Sequence, residues 1–121
     1  GIEEKGVVVS FKANAYFKPD SAELSPKSIN ELKRFSNLVF LLPNNIQIEG
    51  HTEKIPPKKW DSAWELGGAR ASKVGRFFIE NGLDPTKITV KSFGSTRPRF
   101  LETSPTQRGL NNRVEVIVLP E

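Results

Sequence analysis

The order of hydrophobic patterns along the chain is the feature that most constrains its fold. Short β-branched or alternating segments predict strands, and two longer stretches carry apolar residues at helical spacing. The strands are predicted at 6–11, 46–50, 87–93 and 113–119, and the helices at 26–42 and 63–80. Because βαβ crossovers are right-handed, both helices should cover the same face of one mixed sheet. The pattern therefore predicts an α/β (α+β) two-layer sandwich of βαβαββ order, and the alternation of the last two strands predicts one solvent-facing side on each.

Capping residues locate the two predicted helices. Ser25-Pro26 places an N-cap before a proline at the first helical position, where the missing N–H costs nothing. Ser62 and Glu65 predict a capping box, in which each side chain accepts from the backbone N–H of the other residue. Asn81-Gly82 supplies the left-handed residue that commonly ends a helix. The stretch 98–109 has no periodicity and is predicted to be a loop.

The composition narrows the range of possible sites. The 121 residues suit one domain, and 36% apolar with 26% charged residues is ordinary for a globular domain. Zero cysteines exclude disulfides and thiolate sites, and a single histidine excludes a multi-histidine metal site. No run reaches the roughly 20 apolar residues that cross a bilayer, and the longest run, 38–42, is predicted to be the buried end of a helix. We therefore expect no metal and no cofactor.

Two common classes of function are also disfavoured. The net charge of +4 suggests nucleic-acid binding, but the basic residues are scattered, and the cluster of Lys54, Lys58 and Lys59 contains two prolines and no aromatic ladder. Glu53 and His51 could be imagined as acid and base, yet no nucleophile motif, zinc motif or phosphate loop accompanies them. We expect neither a nucleic-acid partner nor an enzyme.

Arg70 occupies a position where the helical pattern predicts an apolar side chain, four residues after Leu66. A guanidinium there could lie over the core, pair with an internal carboxylate or face a ligand. Thr52 and Glu53 end the preceding strand, and alone they could simply cap a loop. If the strand end meets the first turns of the helix, Glu53 and Arg70 lie side by side in a cleft. Such a pair of charges suits a zwitterion.

Three motifs carry a resemblance to a known family: Gly50-His51-Thr52-Glu53, Trp64 to Ala71, and Asn111 to Val116. They resemble the OmpA-like peptidoglycan-binding domain, whose usual forms are Gly-His-Thr-Asp, Leu-Ser-x-x-Arg-Ala and Asn-Arg-Arg-Val-Glu. The resemblance covers nearly the whole chain. The segment Phe17 to Leu24, the Trp-Glu-Leu run and the long loop 54–61 are similar in particular to the periplasmic domain of MotB-type flagellar stator proteins.

The resemblance implies a ligand, the diaminopimelate residue of the peptidoglycan stem peptide. Arg70 would bind its carboxylate through two parallel N–H···O bonds, and Glu53 would accept from its ammonium. The remaining lining would come from Thr52, Leu66 and the backbone N–H groups around Phe17 and Lys18.

Five positions depart from the family pattern, and they imply weak binding or an altered preference. The family's aspartate is Glu53, its asparagine is Ala63, its serine is Gly67, the first arginine of its last motif is Asn112, and an aspartate of some porin-type members is Lys18.

The resemblance also implies a place for the domain. Residues 1–121 would be one periplasmic domain of a longer protein, anchoring a flagellar motor stator complex to the cell wall without catalysis. Its partners would be peptidoglycan, a second copy in a homodimer and a membrane-embedded stator partner, with an upstream segment tethering it to the inner membrane. The alternatives are a tether in an outer-membrane protein or lipoprotein, and a periplasmic protein-interaction module that binds through its sheet edge.

The single histidine and the two tryptophans can each be explained by a structural role or by a functional one. His51 is expected to be structural, satisfied near a turn. Trp64 is expected to pack on the sheet, whereas Trp60, in a loop, is expected to be exposed and could stack on a glycan strand.

Overall fold

The strands and helices alternate as the hydrophobic patterns predict, which confirms the two-layer α/β class. The computed structural model describes residues 2–3 and 6–121, with side chains described from Gly6 onward. The elements are β1 Ile2–Glu3, β2 Gly6–Lys12, α1 Ala13–Tyr16, α2 Pro26–Phe40, β3 Ile46–His51, α3 Ala63–Glu80, β4 Ile88–Gly94, α4 Pro105–Gly109 and β5 Arg113–Val118. One 3-10 turn, Pro85–Lys87, precedes β4.

The five strands form one mixed sheet in the order β1-β2-β5-β3-β4. β3 and β4 are parallel, and the other pairs are antiparallel. β4 is an edge strand, whereas β5 lies in the middle. The prediction of a solvent-facing side on β5 is wrong, because Arg113 to Ile117 are all buried. A central strand with charged residues on one face can be buried only if those charges are paired, and they are.

The two main helices contribute to one hydrophobic core on the same sheet face. Leu32 and Val39 of α2 meet Val74 and Phe78 of α3 in this core, together with Ile48 of β3. Aromatic rings fill the space between the layers at edge-to-face angles, with ring centroids 5.2 Å apart for the pair from β2 and α2. Such geometry suits the charge distribution of aromatic rings. The sheet and both helices are therefore held together by one set of contacts.

The apolar run 38–42 is not the buried helix end that its composition predicts. Val39 is buried, but Leu38, Phe40 and Leu41 are exposed, Leu41 by 77% of its surface. Successive residues of a helix point about 100° apart, so a run of apolar residues cannot all face the core. The periodicity, rather than the length of the run, decides which side chain is buried.

Two local predictions also need correction. The segment 98–109 is not only loop, because Ser104 caps a short helix, α4, by accepting from the Gln107 N–H. Five residues are too few to show a helical period. At the start of α3, Ser62 accepts from the Trp64 N–H, and its hydroxyl donates to the Glu65 carboxylate in place of the predicted reciprocal backbone bonds.

α3 lies against β3 in direct backbone contact. A Cβ atom added to Gly50 would overlap the Gly67 carbonyl and lie 2.8 Å from the Gly67 Cα. A Cβ atom on Gly67 would lie 2.9 Å from the Ser92 hydroxyl. Gly50 must therefore lack a side chain for this contact to form, whereas a Cβ at Gly67 would require the Ser92 hydroxyl to move aside. Arg70 lies one helical turn beyond Gly67, so the glycine contact also sets the position of Arg70 relative to the end of β3.

We expect Gly50→Ala to lower the free energy of unfolding by roughly 1 to 3 kcal/mol or more, because the added methyl group meets backbone that cannot move independently. Gly68→Ala is the matched control, since a Cβ there would make only an ordinary 3.5 Å contact with Ser92. That substitution should stabilise α3 by about 0.5 to 1 kcal/mol. Urea unfolding of both variants tests the pair, and equal stabilities would contradict the close-contact argument.

Candidate ligand-binding site

A cavity of about 460 Å³ opens where the end of β3 meets the first turns of α3. It contains Thr52, Glu53, Leu66 and Arg70, four of the six residues predicted to bind a ligand. The loop before α2 and the loop between β3 and α3 supply most of the remaining wall. The full lining is Asn14, Pro19, Asp20, Thr52, Glu53, Ile55, Pro56, Pro57, Lys58, Lys59, Leu66, Arg70 and Asn112.

Arg70 is a buried cation with donors to spare. It is only 4% exposed, its Nε donates to the Ser21 carbonyl at 2.8 Å, and its guanidinium carbon lies 5.4 Å from the centre of the Phe17 ring. Burial lowers the pKa of Arg70, and the nearby Asp20 and Glu53 carboxylates oppose that shift. An arginine nonetheless remains charged. Within the described part of the chain, its two terminal nitrogens donate to no protein acceptor, which leaves them for a ligand.

Glu53 is held at both its backbone and its carboxylate. Its N–H donates to Asn112 Oδ1 at 2.8 Å, which fixes the strand end. Its Oε2 lies 3.3 Å from Arg108 Nε, and both side chains are a little over a quarter exposed. This contact is an ion pair without good hydrogen-bond geometry. The carboxylate therefore bridges between α4 and the cavity.

Asp20 ties the two loops of the cavity together. Its Oδ2 accepts from the N–H groups of Lys58, at 3.1 Å, and Lys59, at 2.8 Å, and its carbonyl accepts from Trp60 Nε1 at 3.0 Å. Its φ of 51° lies in the left-handed region, which aspartate tolerates better than most residues. Three bonds from one residue thus hold the loop 58–60 in place.

Phe17 and Lys18 do not supply the ligand-facing backbone groups that were predicted. The Phe17 N–H donates to the Ala13 carbonyl, and the Lys18 N–H donates to the Glu23 carbonyl. The chain turns tightly before α2, so these donors are used within the protein. Phe17 instead lies beneath Arg70, and the Lys18 ammonium pairs with the Glu23 carboxylate at 3.1 Å.

The two tryptophans differ from their predicted environments. Trp60 is partly buried, because its indole N–H is bonded to Asp20. Trp64 is the more exposed ring, at 50%, although one face lies against Gly94 at the end of β4. Trp64 is the second residue of α3, and half of its surface stays in contact with solvent.

Sequence reasoning did not identify Asp20, Lys58 and Lys59 as lining the cavity, or Arg108 as the ion-pair partner of Glu53. Only a Pro-Asp-Ser turn signal marked Asp20, and nothing marked Arg108, because α4 shows no periodicity. Asn112 was visible solely as a departure from a motif. Its neighbour Asn111 has a comparable structural role, since its side-chain oxygen accepts from the N–H groups at 99 and 100.

His51 does not line the cavity but lies on the opposite face of the sheet. Its Nε2 lies 3.1 Å from Glu49 and 3.8 Å from Glu115, and its ring stacks on Phe93. The three ligand-type side chains are close enough to hold a metal ion. Glu115, however, already contacts Arg113 Nε at 2.9 Å and a second arginine at 3.1 Å. Two arginine side chains thus neutralise the Glu115 carboxylate, which makes it part of an ion-pair network.

The bonds between Asp20 and the loop 58–60 predict the order of stability of three Asp20 variants. Asp20→Ala should lower the free energy of unfolding by about 2 kcal/mol, since it loses the acceptor and places alanine at positive φ. Asp20→Gly loses the acceptor alone and should cost about 1 kcal/mol. Asp20→Asn retains an acceptor and tolerates the left-handed region, so it should cost least. Urea unfolding measures the series, and three equal losses would contradict it.

The fold and the cavity define an α/β domain with a charged cleft at the end of its sheet. The chain belongs to the OmpA family, whose pattern matches residues 16–112. This result confirms the family resemblance seen in the motifs. In the described residues, no helix is long and apolar enough to span a membrane.

Individual relatives confirm the similarity to MotB periplasmic domains. The chain is 32% identical over 120 residues to Motility protein B of Bacillus subtilis, covering 96% of this chain and 46% of that protein. The periplasmic domain of Helicobacter pylori MotB superposes with a TM-score of 0.90 at 27% identity, covering 98% of this chain and 79% of that one.

A relative outside the motility proteins is also similar. The peptidoglycan-associated lipoprotein of Pseudomonas putida is 28% identical over 101 residues, or 84% of this chain and 60% of that protein. The chain thus spans less than two thirds of the length of either curated relative. None of the three relatives has the name of an enzyme.

Proposed function

We propose that this domain binds the peptidoglycan stem peptide without catalysis, through the zwitterionic end of diaminopimelate. The observation that carries the proposal is the presence of Arg70 and Glu53 in one cavity. Each is anchored by the protein on one side and open to the cavity on the other. A free amino acid end carries one carboxylate and one ammonium, so it matches both charges at once.

The two charges have different roles in the proposal. Arg70 retains a pair of terminal nitrogens, which suits bidentate binding of a carboxylate in a site shielded from water. Glu53 accepts from the ammonium; it lines the same cavity, and the bond from its backbone N–H to Asn112 holds the residue in place. Thr52 and Leu66 complete the wall beside these charges. The cavity therefore distinguishes the two ends of a zwitterion by charge.

We further propose that the domain anchors a flagellar motor stator complex to the cell wall from the periplasm. The similarity to Motility protein B and to the MotB periplasmic domain supports this assignment. A homodimer, tethered to the inner membrane by a segment outside this chain, is part of the same proposal. The similarity to a peptidoglycan-associated lipoprotein favours a second candidate, a lipoprotein tether. The residues upstream of Gly1 separate the two: a spanning helix with an acidic residue supports the stator, and a lipidated cysteine supports the tether.

Arg70→Ala should weaken binding of a diaminopimelate-containing peptide by about 2 to 5 kcal/mol, because a desolvated carboxylate loses its charged partner. Arg70→Lys keeps the charge but not the planar fork, so it should fall between the parent and the alanine variant. Arg76→Ala, on an exposed position of α3, is the control and should bind as the parent does. Calorimetry and pull-down with intact sacculi measure the effect. Unchanged binding by a folded Arg70→Ala protein would remove the carboxylate assignment.

Glu53→Gln and Glu53→Asp test the ammonium role from two directions. Glu53→Gln keeps the size and should weaken binding while costing less than about 1 kcal/mol of stability, since the Arg108 pair is partly exposed. Glu53→Asp should also weaken binding. The backbone at this position is fixed by Asn112, so the shorter carboxylate withdraws from a contact whose best length is about 2.7 to 2.9 Å.

The same titrations can contradict the role assigned to Glu53. Tighter binding by Glu53→Asp than by the parent would show that the extra methylene is not accommodated by the cavity. A large loss of stability in Glu53→Gln with binding intact would make Glu53 a structural partner of Arg108 instead.

A further inference from the structure

The charges around the cavity do not balance. Lys58, Lys59 and Arg70 line it on the positive side, and Asp20 and Glu53 on the negative side. A zwitterionic ligand end adds no net charge, so it leaves this excess in place. Both carboxylates are also already engaged, one by backbone N–H groups and the other by Arg108. The cavity with a bound zwitterion would still be positive.

The excess positive charge comes from two lysines in one segment of the lining, residues 55–59, which we call the basic wall. Its two lysine side chains are exposed, and no carboxylate of the described residues lies within ion-pair distance of either ammonium. Elsewhere on the surface an unpaired lysine needs no explanation, because water solvates it. Here the lysines line the same cavity as the buried cation Arg70.

The backbone of the basic wall is fixed. Pro56 and Pro57 restrict two consecutive φ angles, and Asp20 accepts from the N–H groups of the two lysines that follow. The indole of Trp60 adds a third bond to the same residue. Ordering this segment in advance lowers the entropy cost of placing its charges around a ligand. Such anchoring is more than a solvated loop requires.

We propose that the basic wall is a second subsite, which binds a further carboxylate of an acidic peptide whose zwitterionic end occupies the Arg70 and Glu53 site. This inference rests on the function proposed above and specifies its ligand as an anionic peptide. Lys58 and Lys59 line the same cavity as Arg70 and Glu53, and both lysines are exposed. Two lysines suit a carboxylate of variable position, because their ammonium groups act as point charges on flexible stems.

The test compares two peptides that differ by one charge. One contains diaminopimelate and carries one further carboxylate, and the other has that carboxylate as a carboxamide. Free diaminopimelate is the third ligand, because its second end is again a zwitterion and adds no net charge. Calorimetric titration uses the parent chain, the double variant Lys58→Ala with Lys59→Ala, and a control with Lys27→Ala and Lys33→Ala on the exposed side of α2.

The parent and the control should prefer the acidic peptide by roughly twofold to fivefold, a range set by what an exposed charge pair contributes. The preference should shrink as salt is raised, because exposed charges are screened. The basic-wall variant should bind both peptides equally and bind free diaminopimelate as the parent does.

Three results would overturn the inference. Equal binding of the two peptides by the parent, or a preserved preference in the basic-wall variant, removes the second subsite while leaving the proposed function standing. If the parent binds none of the three ligands, free diaminopimelate included, the proposed function is removed together with the subsite.

Discussion

The contact between Gly50 and Gly67 is the constraint on which the cavity depends. Backbone-to-backbone packing brings α3 closer to β3 than any side chain would allow. Because α3 starts with a capped residue and runs without a break, this single contact fixes where its later turns lie. Arg70, one turn further on, is thereby buried over Phe17 with its terminal nitrogens in the cavity. A Cβ atom at position 67 would lie 2.9 Å from the Ser92 hydroxyl in this packing.

Backbone amides, rather than charges, organise the rest of the site. Asp20 binds the loop that follows Ile55, and Asn112 binds the end of β3 at Glu53. Asn111 does the same for the loop after β4, where it accepts from two consecutive N–H groups. A side-chain amide or carboxylate that accepts from loop N–H groups removes the cost of leaving those groups unpaired. Three short side chains thus replace the regular ladder that loops lack, and Arg70 adds one bond of the opposite sense, from its Nε to the Ser21 carbonyl.

Sequence reasoning was successful where a repeating pattern exists. Periodicity gave the main strands and helices, and it also revealed Arg70, because a charge within an apolar stripe violates the pattern. It failed where position depends on a distant partner. Asp20 matters through bonds to residues 38 and 39 positions later, and such distances leave no mark in a local window. The prediction that the run 38–42 is buried was wrong for a different reason. It rested on apolar composition and not on the position of each residue around the helix.

The extra methylene of Glu53 acquires a physical meaning from the position of α4. With the backbone held by Asn112, the longer side chain can reach Arg108 on one side and the cavity on the other. A bound ammonium then shares its carboxylate with a resident guanidinium. Sharing weakens the attraction for the ammonium, but the contact with Arg108 restricts the rotamers of the Glu53 carboxylate before the ligand arrives. Arg108 also adds positive charge beside the site. Its presence therefore favours ligands whose carboxylates outnumber their ammonium groups. The lysines of the basic wall favour the same kind of ligand.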